Sequence, residues 1–117
     1  MDKKRLEYYK KKLETRRDEL VTAINRTEQQ GREADDDPTV DLADKAANSY
    51  TKEFLFGQTH ADRSTLQLVE EALERIRKGT FGECVNCEED VQQKRLEAVP
   101  WTRYCLPCQQ KEERGEL

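Results

Sequence analysis

Two pairs of cysteines constrain this chain more than any other feature. Cys84-Val-Asn-Cys87 and Cys105-Leu-Pro-Cys108 are C-x2-C knuckles separated by 17 residues, inside the spacing window of a four-cysteine zinc site. Each knuckle turns two thiolates toward one point, and four sulfurs at about 2.3 Å close a tetrahedral shell with no position left for water or substrate. The spacing therefore predicts one structural zinc ion held by Cys84, Cys87, Cys105 and Cys108. So short a segment needs the metal, because its small core supplies little folding free energy by itself. Phe81, Val91, Leu96, Val99, Trp101 and Tyr104 are the apolar companions available to it. Other uses of the thiols stay open. Disulfides suit a secreted chain, and the start MDKKRLEYYK shows no signal-peptide apolar run, so the chain reads as cytosolic. A redox-active C-x2-C normally has one reactive pair in a βαβ setting. Oxidation that expels the zinc, making the module a redox or stress sensor, is a further alternative.

The remaining residues cannot build a thick core. Leu, Ile, Val and Phe together number 22 of 117 and 39% of the chain is charged, against about 25% in an average domain. The net charge is only −4, without the one-sided excess that keeps chains expanded. Elongated helices with a narrow apolar stripe fit this composition. Leu6, Tyr9, Leu13, Leu20, Ala23 and Thr27 occupy a/d positions of one heptad frame, with Arg16 as its polar interruption and Ile24 beside the seam. The pattern predicts a helix of roughly 25 residues that Gly31 can end. Asp37-Pro38 then marks a second start, and that helix should run from Pro38 or Thr39 to Arg77 or Lys78, closed by Gly79. Its C-terminal half carries Leu66, Val69, Leu73 and Ile76. Its N-terminal half uses Ala43, Ala47, Tyr50 and Phe54, with the phase drifting across Gly57. Two long helices joined by a short turn pack antiparallel. The expected fold is mostly α: an antiparallel coiled-coil helical hairpin over 1–78, its acidic tip at about 31–46, and a small four-cysteine zinc-finger module with a C-terminal helix over 79–117. A hairpin that closes its own seam is expected to be a monomer.

Charge is segregated along the hairpin. Residues 1–17 carry eight basic side chains against three acidic ones, whereas 28–44 carry seven acidic ones against Arg32 alone. A pI of 5.2, with Glu83, Glu88, Glu89 and Asp90 around the first knuckle, argues against DNA binding through phosphates. No stretch approaches the roughly 20 apolar residues of a membrane span. His60 stands alone mid-helix, and no nucleophile–base pair can be assembled, so no enzymatic activity is expected. Asp41 and Asp44, three residues apart, share a face in the first turns of the second helix. Acids there offset the helix dipole. The acid run exceeds what capping needs, however, and Ala43, Ala46 and Ala47 leave the backbone bare. Such a finger can enter a narrow, basic or metal-lined opening in a larger partner.

Taken in order, three segments resemble the DksA/TraR family of bacterial regulators. They are Asp41-Leu-Ala-Asp44-Lys-Ala46, similar to the family's D-x-x-D-x-A signature; Gly79-Thr-Phe-Gly82-Glu-Cys84; and Arg95-Leu-Glu-Ala98-Val-Pro100 before Cys105-Leu-Pro-Cys108-Gln. The resemblance spans nearly the whole chain. It implies a protein that binds RNA polymerase rather than DNA. The finger would enter the enzyme's secondary channel with Asp41, Asp44 and Ala46 near the active-site region, while the zinc module rests on the rim. Regulators of this kind alter the lifetime of promoter open complexes. Longer members carry an extra N-terminal segment folded onto the globular module, so a smaller base is expected here. Members that respond to ppGpp use basic side chains where this chain has Val99 and Gln109, and weak or absent ppGpp synergy is therefore expected.

Overall fold

A computed structural model describes the backbone of residues 1–35 and 42–117, and the side chains of 1–30 and 51–117. The described chain is four helices: α1 (Lys3–Asp35), α2 (Leu42–Lys78), α3 (Gln93–Ala98) and α4 (Leu106–Glu113). Among the described residues there is no β-strand, only an isolated antiparallel bridge between Glu83 and Asp90. The architecture is the expected one, a coiled-coil hairpin followed by a compact cysteine module.

The first helix departs from expectation at its end: α1 continues through Gly31 to Asp35. The described part of α2 starts at Leu42, and the start expected at Pro38 or Thr39 lies outside the described residues. A glycine inside a helix costs about 1 kcal/mol relative to alanine, which the good helix formers after it, Arg32, Glu33 and Ala34, can absorb. The N-cap expected at Asp37-Pro38 lies outside the described residues. At its other end α2 stops where the sequence predicts. Gly79 takes φ +82°, its N–H donates to Ile76 O at 3.3 Å, and the Thr80 N–H donates to Arg75 O at 3.0 Å. This pair of bonds is a Schellman motif, which requires a left-handed residue that glycine adopts without steric cost.

The chain divides into two compact units, one uniting Met1–Arg17 with Gln67–Leu117, the other comprising Asp18–Leu66. In the second unit Leu20, Ile24 and Thr27 are buried. Thr27 is tolerated at the seam because its hydroxyl donates to Ala23 O at 2.8 Å. Ile24 is fully covered while Ala23 is only half-buried. Arg63 and Glu28 form an ion pair between the two helices. Phe54, expected in the seam, is instead 63% exposed, and Leu55 is half-buried in its place. The reason is phase. α2 runs unbroken through Gly57, so stepping back from Leu66 by four and three residues reaches Asp62, Thr59 and Leu55, all half-buried.

In the first unit Tyr9 and Leu13 of α1 and Val69 and Ala72 of α2 are buried together with Phe81, Val91, Leu96 and Pro100 of the module. The Tyr9 ring lies against Phe81 with centroids 5.4 Å apart. Of the expected apolar companions, Phe81, Val91 and Leu96 are fully buried and Val99, Trp101 and Tyr104 half-buried.

Candidate metal centre

The first knuckle is a tight turn. Cys84 N–H donates to Glu89 O at 2.7 Å, Glu88 N–H donates to Cys84 O at 3.0 Å, and Val91 N–H closes the loop on Gly82 O at 2.8 Å. Gly82 sits at φ +91°, where a Cβ would also come within 3.0 Å of Met1 Cε. The second knuckle is the start of α4. Cys105 is its N-cap residue, Pro107 lies in the first turn, and Gln109 N–H donates to Cys105 O at 2.9 Å. Proline suits that turn because its missing N–H would have no helical partner there. Val85 N–H donates to Arg103 O at 2.8 Å and ties the two knuckles together.

These turns bring the Sγ atoms of Cys84, Cys87, Cys105 and Cys108 within 4.8 Å of one another, with Cys87 and Cys105 at 3.7 Å. A tetrahedron with metal–sulfur bonds of about 2.3 Å has sulfur–sulfur edges of about 3.8 Å. All four cysteines are free thiols. Cys84, Cys105 and Cys108 are buried and Cys87 is exposed. Burial opposes ionisation of Cys84, yet amide hydrogen bonds from Cys87, Cys105 and Asn86 overcome it and lower that thiol to about 6. For Cys87 the amide of Glu89 favours the thiolate, but partial desolvation and the neighbouring Cys84, Cys105 and Cys108 thiols prevail and push it up to about 12. The Cys84 thiolate forms readily while Cys87 and Cys105 resist ionisation, a conflict that a divalent cation removes. The Asn86 side-chain amide donates to Cys108 Sγ at 3.4 Å, so a thiolate there already has a donor outside the sulfur cluster. The four residues fit one structural zinc ion.

A polar clamp surrounds the second knuckle, and no sequence pattern points to it. Arg103 forms two hydrogen bonds to the Glu71 carboxylate, at 2.8 and 3.0 Å. Those bonds, opposed by partial desolvation, hold Glu71 below the usual carboxylate range. Arg75 donates to Thr102 O at 3.1 Å. Arg95 of α3 donates to Tyr104 O at 3.0 Å and to the Thr102 hydroxyl at 3.2 Å. Glu97, at the end of the same helix, receives Tyr8, Tyr9 and Lys12 from α1, and Lys12 also donates to Glu97 O at 2.9 Å. The Arg16 guanidinium lies 5.8 Å from the Trp101 ring centroid, within cation–π range. Glu71 and Arg75 stand among other charged residues of α2, Glu70, Glu74, Arg77 and Lys78, and the Glu71–Arg103 pairing crosses 32 residues of sequence.

The other candidate residues fare differently. Asp41 lies outside the described residues. Asp44 and Ala46 fall in the first turns of α2, where only the helical backbone is described. His60 is an exposed helix residue. Val99 is half-buried, and the Gln109 amide donates to Glu112 and Glu113, each at 3.3 Å.

Residues 79–114 match the model of the prokaryotic dksA/traR C4-type zinc finger, so the cysteine module is a zinc finger of that class. Over the whole length, the chain is 30% identical to the RNA polymerase-binding transcription factor DksA of Buchnera aphidicola, covering 92% of this chain and 71% of that one. It is 38% identical to an uncharacterized protein of Aquifex aeolicus, over 97% and 80% of the two chains. The solved structure of transcription factor DksA2 from Pseudomonas aeruginosa superposes with a TM-score of 0.87 at 24% identity, over 99% and 88% of the chains. The chain belongs to the DksA/TraR family.

Proposed function

We propose that this protein is a non-enzymatic transcription regulator that binds bacterial RNA polymerase in the cytoplasm. The observation that carries the reading is the 30% identity to a named RNA polymerase-binding factor across 92% of the chain, joined to a four-sulfur site built for one closed-shell zinc. The hairpin enters the secondary channel, and Asp41, Asp44 and Ala46 act at its tip to alter open-complex stability. An acidic tip suits a channel lined by magnesium and arginine, because carboxylates are ligands for the first and fork partners for the second. ppGpp adds little. Val99 offers a phosphate no donor, and the Gln109 amide already faces the carboxylates of Glu112 and Glu113.

The test is in-vitro transcription from a promoter with a short-lived open complex, comparing wild type with D41N/D44N. The double variant, folded and zinc-loaded, should lose the effect on transcription while retaining polymerase binding. An undiminished effect refutes the role of the tip. A second reading, a thiol sensor that signals by zinc release, is favoured by one observation: Cys87 is exposed while the other three ligands are buried. Dilute peroxide should then expel zinc and change polymerase binding together. Zinc retention under peroxide sinks that reading.

A further inference from the structure

Within the first unit, a groove of about 270 Å³ opens between α1 and the end of α2. Leu73 and Ile76 line it together with Lys10, Glu14, Arg17 and Arg77. Lys10, Glu14 and Arg17 recur at i, i+4 and i+7, so they lie along one stripe of α1, and Leu73, Ile76 and Arg77 share a stripe of α2. Residues flanking a coiled-coil seam normally carry complementary charge across it. Here cations come from both helices, with Glu14 the only acid among the lining residues. Lys10 has no ion-pair or hydrogen-bond partner among the described residues, and Arg77 is paired only with Glu74 of its own helix. Both are exposed.

We propose that this groove docks an acidic polypeptide segment of the polymerase partner, one apolar side chain entering over Leu73 and Ile76 and neighbouring carboxylates meeting Lys10 and Arg77. The inference rests on the polymerase-binding reading above. Charge complementarity selects the occupant. A cationic rim around an apolar floor asks for an anion attached to an apolar group, which a peptide supplies. A nucleic-acid backbone offers no apolar group to the floor. A groove of this volume accepts one large side chain, in keeping with recognition by a single anchor and a charged surround.

The experiment uses the full-length, zinc-loaded protein and core RNA polymerase, with affinity read by fluorescence anisotropy at two salt concentrations. K10E/R77E should bind about tenfold more weakly than wild type, and its affinity should fall less steeply with salt. K10R/R77K should restore binding. K11E, reversing a lysine one residue off the stripe, should behave as wild type. Circular dichroism and zinc content establish that each variant is folded. Binding by K10E/R77E equal to wild type overturns the groove and leaves the polymerase reading standing. An equal loss in K11E also overturns it, since the effect is then net charge alone. If the wild type itself fails to bind, both readings fall. A photo-crosslinker replacing Glu7, on the same stripe of α1 as Glu14, should map to an Asp- and Glu-rich polymerase segment, and a crosslink to a basic segment refutes the assignment.

Discussion

The pair that should report most directly on how the zinc finger is held to the hairpin is Glu71–Arg103. Its two N···O distances are 2.8 and 3.0 Å, and the side chains are 35% and 36% exposed. Fully exposed pairs contribute about 0.2–1 kcal/mol, and breaking a buried one costs about 3–5 kcal/mol. One-third exposure with bidentate geometry places the coupling near the lower range, at about 1 kcal/mol. A double-mutant cycle with E71A, R103A and E71A/R103A measures it. Denaturant unfolding of the zinc-saturated protein, followed by the fluorescence of the half-buried Trp101, provides the assay. For a chain of this length about 1 kcal/mol corresponds to a shift in Tm of about 4 °C. The pH dependence has a fixed sign. Arg103 depresses the Glu71 pKa below its ordinary 4.5, so the contribution is fully present above the unfolded value and disappears as pH falls through the folded one. The coupling should therefore be flat from about pH 8 to 5.5. Coupling indistinguishable from additivity, below about 0.3 kcal/mol, would refute the clamp, as would coupling that fades between about pH 8 and 6.

Chelation of the zinc should abolish the near-ultraviolet CD of Trp101 and the module's tyrosine while leaving most far-ultraviolet helicity, because α1 and α2 hold the greater part of the helical residues. An unchanged near-ultraviolet spectrum after metal removal would overturn the structural role of the zinc. Replacing Gly79, which sits at φ +82° with no atom near the place of a Cβ, should cost about 1–2 kcal/mol as G79A, from backbone strain alone, and less as G79N. Equal stability of wild type and G79A in denaturant unfolding would show that the helix end has rearranged.

The parts of this structure set by local rules are legible in the sequence. The four ligands follow from C-x2-C spacing, and the end of α2 follows from a glycine where only positive φ completes the Schellman bonds. Leu13, Leu20 and Val69 follow from heptad spacing. Sequence and structure part where local signals compete with helix continuity. Gly31 looks like a stop, although strong helix formers follow it. Phe54 looks inward-facing because it continues the four-three-four spacing of Ala43, Ala47 and Tyr50, whereas phase propagated backward from Leu66 through an unbroken helix selects Leu55. The clamp is invisible for a different reason. Glu71, Arg75, Arg95 and Arg103 look like ordinary members of a chain that is 39% charged, and only the fold shows which of them meet.

That clamp explains how so small a base adopts one defined arrangement. The zinc fixes the two knuckles to each other, but nothing in a closed four-sulfur shell determines how the module sits against the helices. The apolar contact there, in which the Tyr9 and Phe81 rings meet among the buried residues of this unit, is non-directional. Polar groups supply the missing direction. Thr102, almost fully buried, receives Arg95 on its hydroxyl and Arg75 on its carbonyl, Arg103 reaches Glu71, and Glu97 gathers three donors from α1. Among the described residues no buried side-chain polar atom lacks a partner, the condition under which a polar network specifies a pose without leaving a desolvated group uncompensated. A surface of small apolar residues would have allowed sliding. Bonds that end on particular atoms of α1, α2 and α3 do not. The zinc therefore stabilises the finger, and the clamp orients it. A variant that keeps zinc but loses the clamp would separate stability of the module from its placement against the hairpin.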